Sequence, residues 1–158
     1  MQTNVAAEVV QTFELVKEEE IAAPIQIVFE TILEQMGPHN ETPNGESLQM
    51  KLEAWPGGRW FRDLGNDTGH FWGLVQAIKA PTLLEISGPL FMSTPAVSNV
   101  QYRLTEEAGL TRVRFVHRAM GWLPDLAQIG AGMDTGWTSL MTRIRESAER
   151  RASASRQG

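Results

Sequence analysis

Between residues 49 and 120 the chain is a run of short, alternating segments joined by tight turns, and one long amphipathic stretch follows. Strands are predicted at Gln49–Trp55, Arg59–Leu64, Gly69–Ile78, Leu83–Gly88, Val97–Leu104 and Leu110–Met120. Pro56-Gly57-Gly58, the polar turn from Gly65 to Thr68, Ala80-Pro81 and the Glu106 to Gly109 turn separate them. Connections this short cannot make the crossovers that parallel neighbours need, so the pairing is predicted antiparallel. A sheet of six or seven strands twists and curls. Met133, Trp137, Leu140, Met141, Ile144 and Ala148 then form one stripe of a helix that begins near Pro124 or Gly132 and ends near Arg151. That stripe has to be buried, and the concave face of the sheet is the surface available. A curved layer and a straight rod do not touch everywhere, so a gap with apolar walls is expected between them, the usual make-up of a small-molecule pocket.

The first fifty residues supply one more strand and a short helix. Phe13, Leu15 and Ile21 share a parity within Thr12–Ile21, with Lys17 and Glu19 on the same side. Ile25, Val28, Phe29, Ile32, Leu33 and Met36 then recur at helical spacing after Pro24, which is expected at the first helical position. Gly37-Pro38 stops this helix, and residues 37–48 read as a polar loop with an Asn44-Gly45 turn. The fold class is therefore α+β: a curved antiparallel six- to seven-stranded sheet gripping a long C-terminal helix, with one short helix after the first strand. Residues 9–150 are expected to form one domain, flanked by a disordered N-terminus (1–8) and a disordered tail (151–158).

Composition removes several classes of function. The chain has no cysteine, so disulfides, thiol nucleophiles and cysteine-based zinc sites are out. His39, His70 and His117 are scattered without ligand spacing, and no metal or other cofactor is expected. The net charge of −5 disfavours nucleic acid. Arg112, Arg114 and Arg118 share the solvent parity of one strand, and Arg143, Arg145, Arg150 and Arg151 read as cations near a helix C-terminus. No apolar run is long enough to span a membrane, and Met1 to Glu8 lacks the make-up of a signal peptide, so a cytoplasmic protein, monomer or homodimer, is expected. Trp72 and Leu74, on one parity of their strand, hint at a dimer surface.

Four pieces taken in order carry a resemblance. They are Ile21-Ala-Ala-Pro24 before an apolar helix, Pro56-Gly-Gly-Arg59 between two strands, Gly73-Leu-Val75 followed by Pro81, and Gly136-Trp137 in the last helix. Together they resemble the START-like superfamily, also called SRPBCC or helix-grip, in the branch similar to the C-terminal domain of the Hsp90 ATPase activator. The resemblance implies the fold reached above. It leaves function open among carriers, sensors, polyketide cyclases and chaperone-interacting modules. The family usually has a second short helix with a tryptophan where this chain has loop 37–48.

The predicted ligand-binding set is Trp72, Tyr102, Phe115, His117, Met133, Trp137, Leu140 and Met141. His117 shares the inward parity of Val113 and Phe115, and Tyr102 that of Val100 and Leu104. Each is a candidate to hydrogen-bond a ligand or move a proton, with a core group satisfied by a neighbour as the alternative. Lys17 and Glu19 are either an inward ion pair beside the pocket or guards of a sheet edge. The inward parities of Trp55, Trp60 and Trp72 stay open, because the Pro56–Gly58 turn admits two registers. The leading expectation is a carrier or sensor for a small hydrophobic or aromatic molecule. A polyketide cyclase or aromatase-like enzyme and a chaperone-ATPase-interacting module are the alternatives.

Overall fold

A computed structural model describes residues 1–157. The elements are β1 (Gln11–Ile21), α1 (Ile25–Met36), β2 (Met50–Leu52), β3 (Arg59–Gly65), β4 (Thr68–Lys79), β5 (Leu83–Gly88), β6 (Ala96–Glu107), β7 (Leu110–Gly121) and α2 (Leu126–Gln157). All seven strands form one antiparallel sheet in the order β1-β7-β6-β5-β4-β3-β2. From β2 to β7 each strand pairs with the next in sequence, as short turns require. Only β1 returns, closing on β7 from Gln11↔Gly121 to Ile21↔Thr111. The fold is the α+β helix-grip arrangement expected.

The helical stripe of α2 is buried as its spacing demands: Met133, Trp137, Leu140, Met141, Ile144 and Ala148, and beyond them Ala152. Burying each large side chain of this kind contributes roughly 1.5–3 kcal/mol. Ion pairs on the flanks lock the helix in place. Lys17 Nζ meets Asp134 Oδ1 at 2.5 Å, and Arg145 Nη1 meets Glu19 Oε1 at 3.0 Å, so both charges on the inner parity of β1 are used to hold α2. Arg151 pairs with Glu34 of α1. Among the described residues no helix is long and apolar enough to cross a membrane.

Several boundaries differ from the sequence reading. β2 is shorter than Gln49–Trp55, because Gln49 has φ 53° and residues 53–58 fold into turns closed by Trp55 N–H to Glu53 O (2.9 Å) and Gly58 N–H to Trp55 O (2.8 Å). Pro24 is the cap before α1, with extended ψ 148°, and is not its first helical residue. Glu106 Oε2 accepts the Ile25 N–H at 2.6 Å, so the β6–β7 hairpin completes the cap that proline lacks. α2 continues to Gln157 through residues expected to fray, so Arg143 lies mid-helix and not near its end. Loop 37–48 folds on itself: Leu48 N–H donates to Asn40 O and Thr42 N–H to Glu46 O.

The largest correction concerns β4. Phe61 pairs with Phe71, but Trp60 pairs with Gly73, so Trp72 is the extra residue of a β-bulge. The bulge reverses the alternation. Trp72 turns inward and is buried, whereas Leu74 is 45% exposed. The exposed apolar neighbours on that outer face are therefore Phe71 and Leu74, and the expected pairing of Trp72 with Leu74 is lost.

Candidate functional site

Two different environments lie under α2. One is solidly packed. Tyr102 and Phe115, from adjacent strands, meet as tilted rings at 4.8 Å between centres, and Phe115 meets Trp137 at 4.6 Å. Tyr102 is buried, with its hydroxyl 3.7 Å from Met36 Sδ, and burial pushes its phenol well above the usual range. Met141 is buried in the same core.

His117 belongs to this packed part. Its Nδ1 accepts a hydrogen bond from Trp137 Nε1 at 3.1 Å, and its Nε2 lies 3.0 Å from Ser98 Oγ. Indole N–H is only a donor, so Nδ1 must be unprotonated, and the neutral ring carries its proton on Nε2, facing Ser98. Burial lowers its pKa from 6.5 to about 4. The ring is thus a neutral bridge between β7, β6 and α2, and both nitrogens are engaged.

The second environment is hollow. A pocket of about 400 Å³ opens between the first half of α2, the bulged region of β3 and β4, and loop 37–48. Trp60 and Trp72, edge to face at 4.9 Å, form one wall. Trp60 is fully buried and its Nε1–H is spent on Met36 O at 2.7 Å, which holds it rigid against the end of α1. Trp72 donates to His70 Nδ1 at 3.1 Å. Phe91, from the β5–β6 connection, sits edge-on to Trp72 at 5.6 Å. From α2 come Ile129, Met133, Trp137 and Leu140, with Gly132 and Gly136 between them. A Cβ on either glycine would meet no atom within 4 Å, so these positions leave room that side chains would occupy.

The polar end is formed by Asn40, Glu41 and Thr42 of the loop and by Arg143 of α2. Arg143 Nη1 donates to Ser139 Oγ (2.7 Å), Nη2 to Glu41 O (3.1 Å) and to Asn40 Oδ1 (3.4 Å), and Nε to Gln35 Oε1 (3.4 Å). The Glu41 carboxylate stands 3.9 Å from Nε. Partial burial lowers the pKa of the guanidinium below its ordinary value.

Of the eight residues predicted to bind ligand, Trp72, Met133, Trp137 and Leu140 line this pocket. Tyr102, Phe115, His117 and Met141 are not among its walls. Strand parity for Tyr102, Phe115 and His117, and helical spacing for Met141, identified these residues as interior but could not tell packed interior from hollow. Trp60, Phe91, Arg143 and the loop wall were missed. For Trp60 the signal was the Pro56–Gly58 turn, ambiguous without its register. For Arg143 it was helical spacing, since residues 132, 136, 140 and 143 share one face.

No curated protein matches the chain. Residues 22–149 match the family model described as Activator of Hsp90 ATPase homolog 1-like protein. Among solved structures, a putative uncharacterized protein from Rhizobium leguminosarum is 19% identical over 89% of this chain and 99% of its own, with a TM-score of 0.63. Protein MLL2253 from Mesorhizobium loti is 20% identical over 87% of this chain and 98% of its own, at 0.65. The di-domain ARO/CYC StfQ from the steffimycin biosynthetic pathway is 8% identical, with 90% of this chain matched to 52% of that one, also at 0.65. At such identities the likeness is one of fold.

Proposed function

This chain belongs to the Activator of Hsp90 ATPase homolog 1-like family, within the START-like (SRPBCC, helix-grip) superfamily, and on that premise we propose that it is a carrier or sensor that holds a small hydrophobic or aromatic molecule between its sheet and α2. The observation that carries this reading is the pocket walled by Trp60, Trp72, Phe91, Met133, Trp137 and Leu140. Its volume of about 400 Å³ falls in the range of small-molecule sites. Rigid aromatic walls give contact area at little entropic cost, and Met133 adapts to ligand shape.

A cyclase-like reading draws on the likeness to StfQ, whose name carries the ARO/CYC description. It has less support, because a proton-moving group would have to face the ligand. His117 has both nitrogens engaged, and the Tyr102 hydroxyl lies against Met36.

Mass spectrometry of the purified protein under native and denaturing conditions tests the proposal. The expected result is an apolar compound released on denaturation, or uptake of one from a panel of fatty acids, isoprenoids and aromatic polyketides. If no apolar compound is released and none is taken up, the reading is overturned.

A further inference from the structure

We infer that the ligand is an apolar carboxylic acid whose carboxylate docks on Arg143 at the polar end of the pocket. This rests on the binding reading above and adds the chemical class of the occupant.

Among the described residues, Arg143 is the only cationic side chain lining the pocket, and Glu41 the only acidic one. The Arg143 side chain is mostly buried, with 17% of it exposed, and its guanidinium is partly withdrawn from water. A charge so placed is costly unless an anion approaches it closely. Its four hydrogen bonds go to uncharged acceptors, a hydroxyl, a backbone carbonyl and two amide oxygens, and the two amide contacts are long at 3.4 Å. The only formal negative charge nearby, Glu41, stands off at 3.9 Å and is 39% exposed at the rim. The pocket therefore presents an under-neutralised planar cation at one end of otherwise apolar walls. A carboxylate matches a guanidinium in charge, and by displacing the two long amide contacts at Nε and Nη2 it takes up one fork of the planar group. Asn40 and Thr42 add neutral polar groups at the same end. An amphiphile with its apolar body against Trp60, Trp72 and Leu140 and its acid at Arg143 satisfies both ends at once.

The test compares 2-naphthaleneacetic acid with its neutral amide at pH 7.5, read by quenching of the tryptophans that line the pocket. The acid is expected to bind about tenfold or more tightly than the amide, as a charge-assisted pair requires. Arg143→Met should abolish that preference, so that acid and amide bind alike. Glu41→Gln removes the competing carboxylate from an exposed position, and it should widen the preference for the acid over the amide. Should Arg143→Met not fold, the wild-type comparison and Glu41→Gln still decide. Equal or tighter binding of the amide by the wild type would overturn the inference and leave the apolar-ligand reading standing. Binding of neither probe, with no uptake from the wider panel, would overturn both.

Discussion

The indole Nε1–H of Trp137 donates to Nδ1 of His117 across 3.1 Å, tying the wall of the pocket to a buried, uncharged imidazole. Protonation of Nδ1 would turn the acceptor into a donor facing another donor. The folded pKa of about 4 lies below the ordinary 6.5, so between these values the unfolded chain binds a proton that the native chain does not. Stability conferred by His117 is complete above pH 6.5 and is lost as pH falls toward 4. The full loss is roughly 3 kcal/mol. Urea denaturation of the wild type and of His117→Gln across pH 7.5 to 4 should show a steeper decline in the wild type. Parallel curves would contradict the assignment.

Gly136 faces the hollow with nothing within 4 Å of a Cβ. Gly136→Leu should place a side chain in the pocket, its Cβ free of contacts. Helix propensity alone predicts unchanged stability or a gain of up to ~1 kcal/mol. Uptake of naphthalene-based probes should fall at least about tenfold, since the space is filled. Thermal melting and tryptophan quenching together check both halves, and undiminished uptake would show that ligands bind elsewhere.

Gly73 lies where β4 and β5 pack closely. A Cβ there would stand 2.8 Å from both Ile86 Cγ2 and the carbonyl oxygen of Ser87. The backbone oxygen cannot rotate away, so Gly73→Ala should cost about 1–3 kcal/mol. The same change at Gly132, where the site is open, should not destabilise. Equal midpoints for the two variants would refute the packing argument.

On the outer face, Arg112, Arg114 and Arg118 pair with Glu20, Glu18 and Glu14, each at 2.7 Å across the β1–β7 ladder. These contacts are exposed, so Arg114→Ala should change stability by no more than ~1 kcal/mol, and by less in 0.5 M salt. A larger loss would mean that these pairs act as a network that holds the edge strand.

Much of the fold was legible because its signals are local. The parity of Leu110–Met120 put Val113, Phe115 and His117 inside and the three arginines outside, and the burial pattern of β7 bears this out. The stripe from Met133 to Ala148 named the buried face of α2 residue by residue. The pocket was less legible. Trp72 lies in a bulge whose extra residue is defined only against β3, and Trp60 depends on the same register. Arg143 has the spacing of the pocket face, but its partners Asn40 and Glu41 are about a hundred residues distant in the chain.

By itself the sequence determined the succession of elements, the antiparallel connection and the inward faces of β7 and α2, because periodicity and short turns act between neighbours along the chain. Tertiary structure alone decided where the interior is packed and where it is hollow. The rings of Tyr102, Phe115 and Trp137 fill one side, while the bulge at Trp72, the side-chain-free positions Gly132 and Gly136 and the folded loop leave the other open. A void is the space left after remote segments have docked, and no local pattern encodes it.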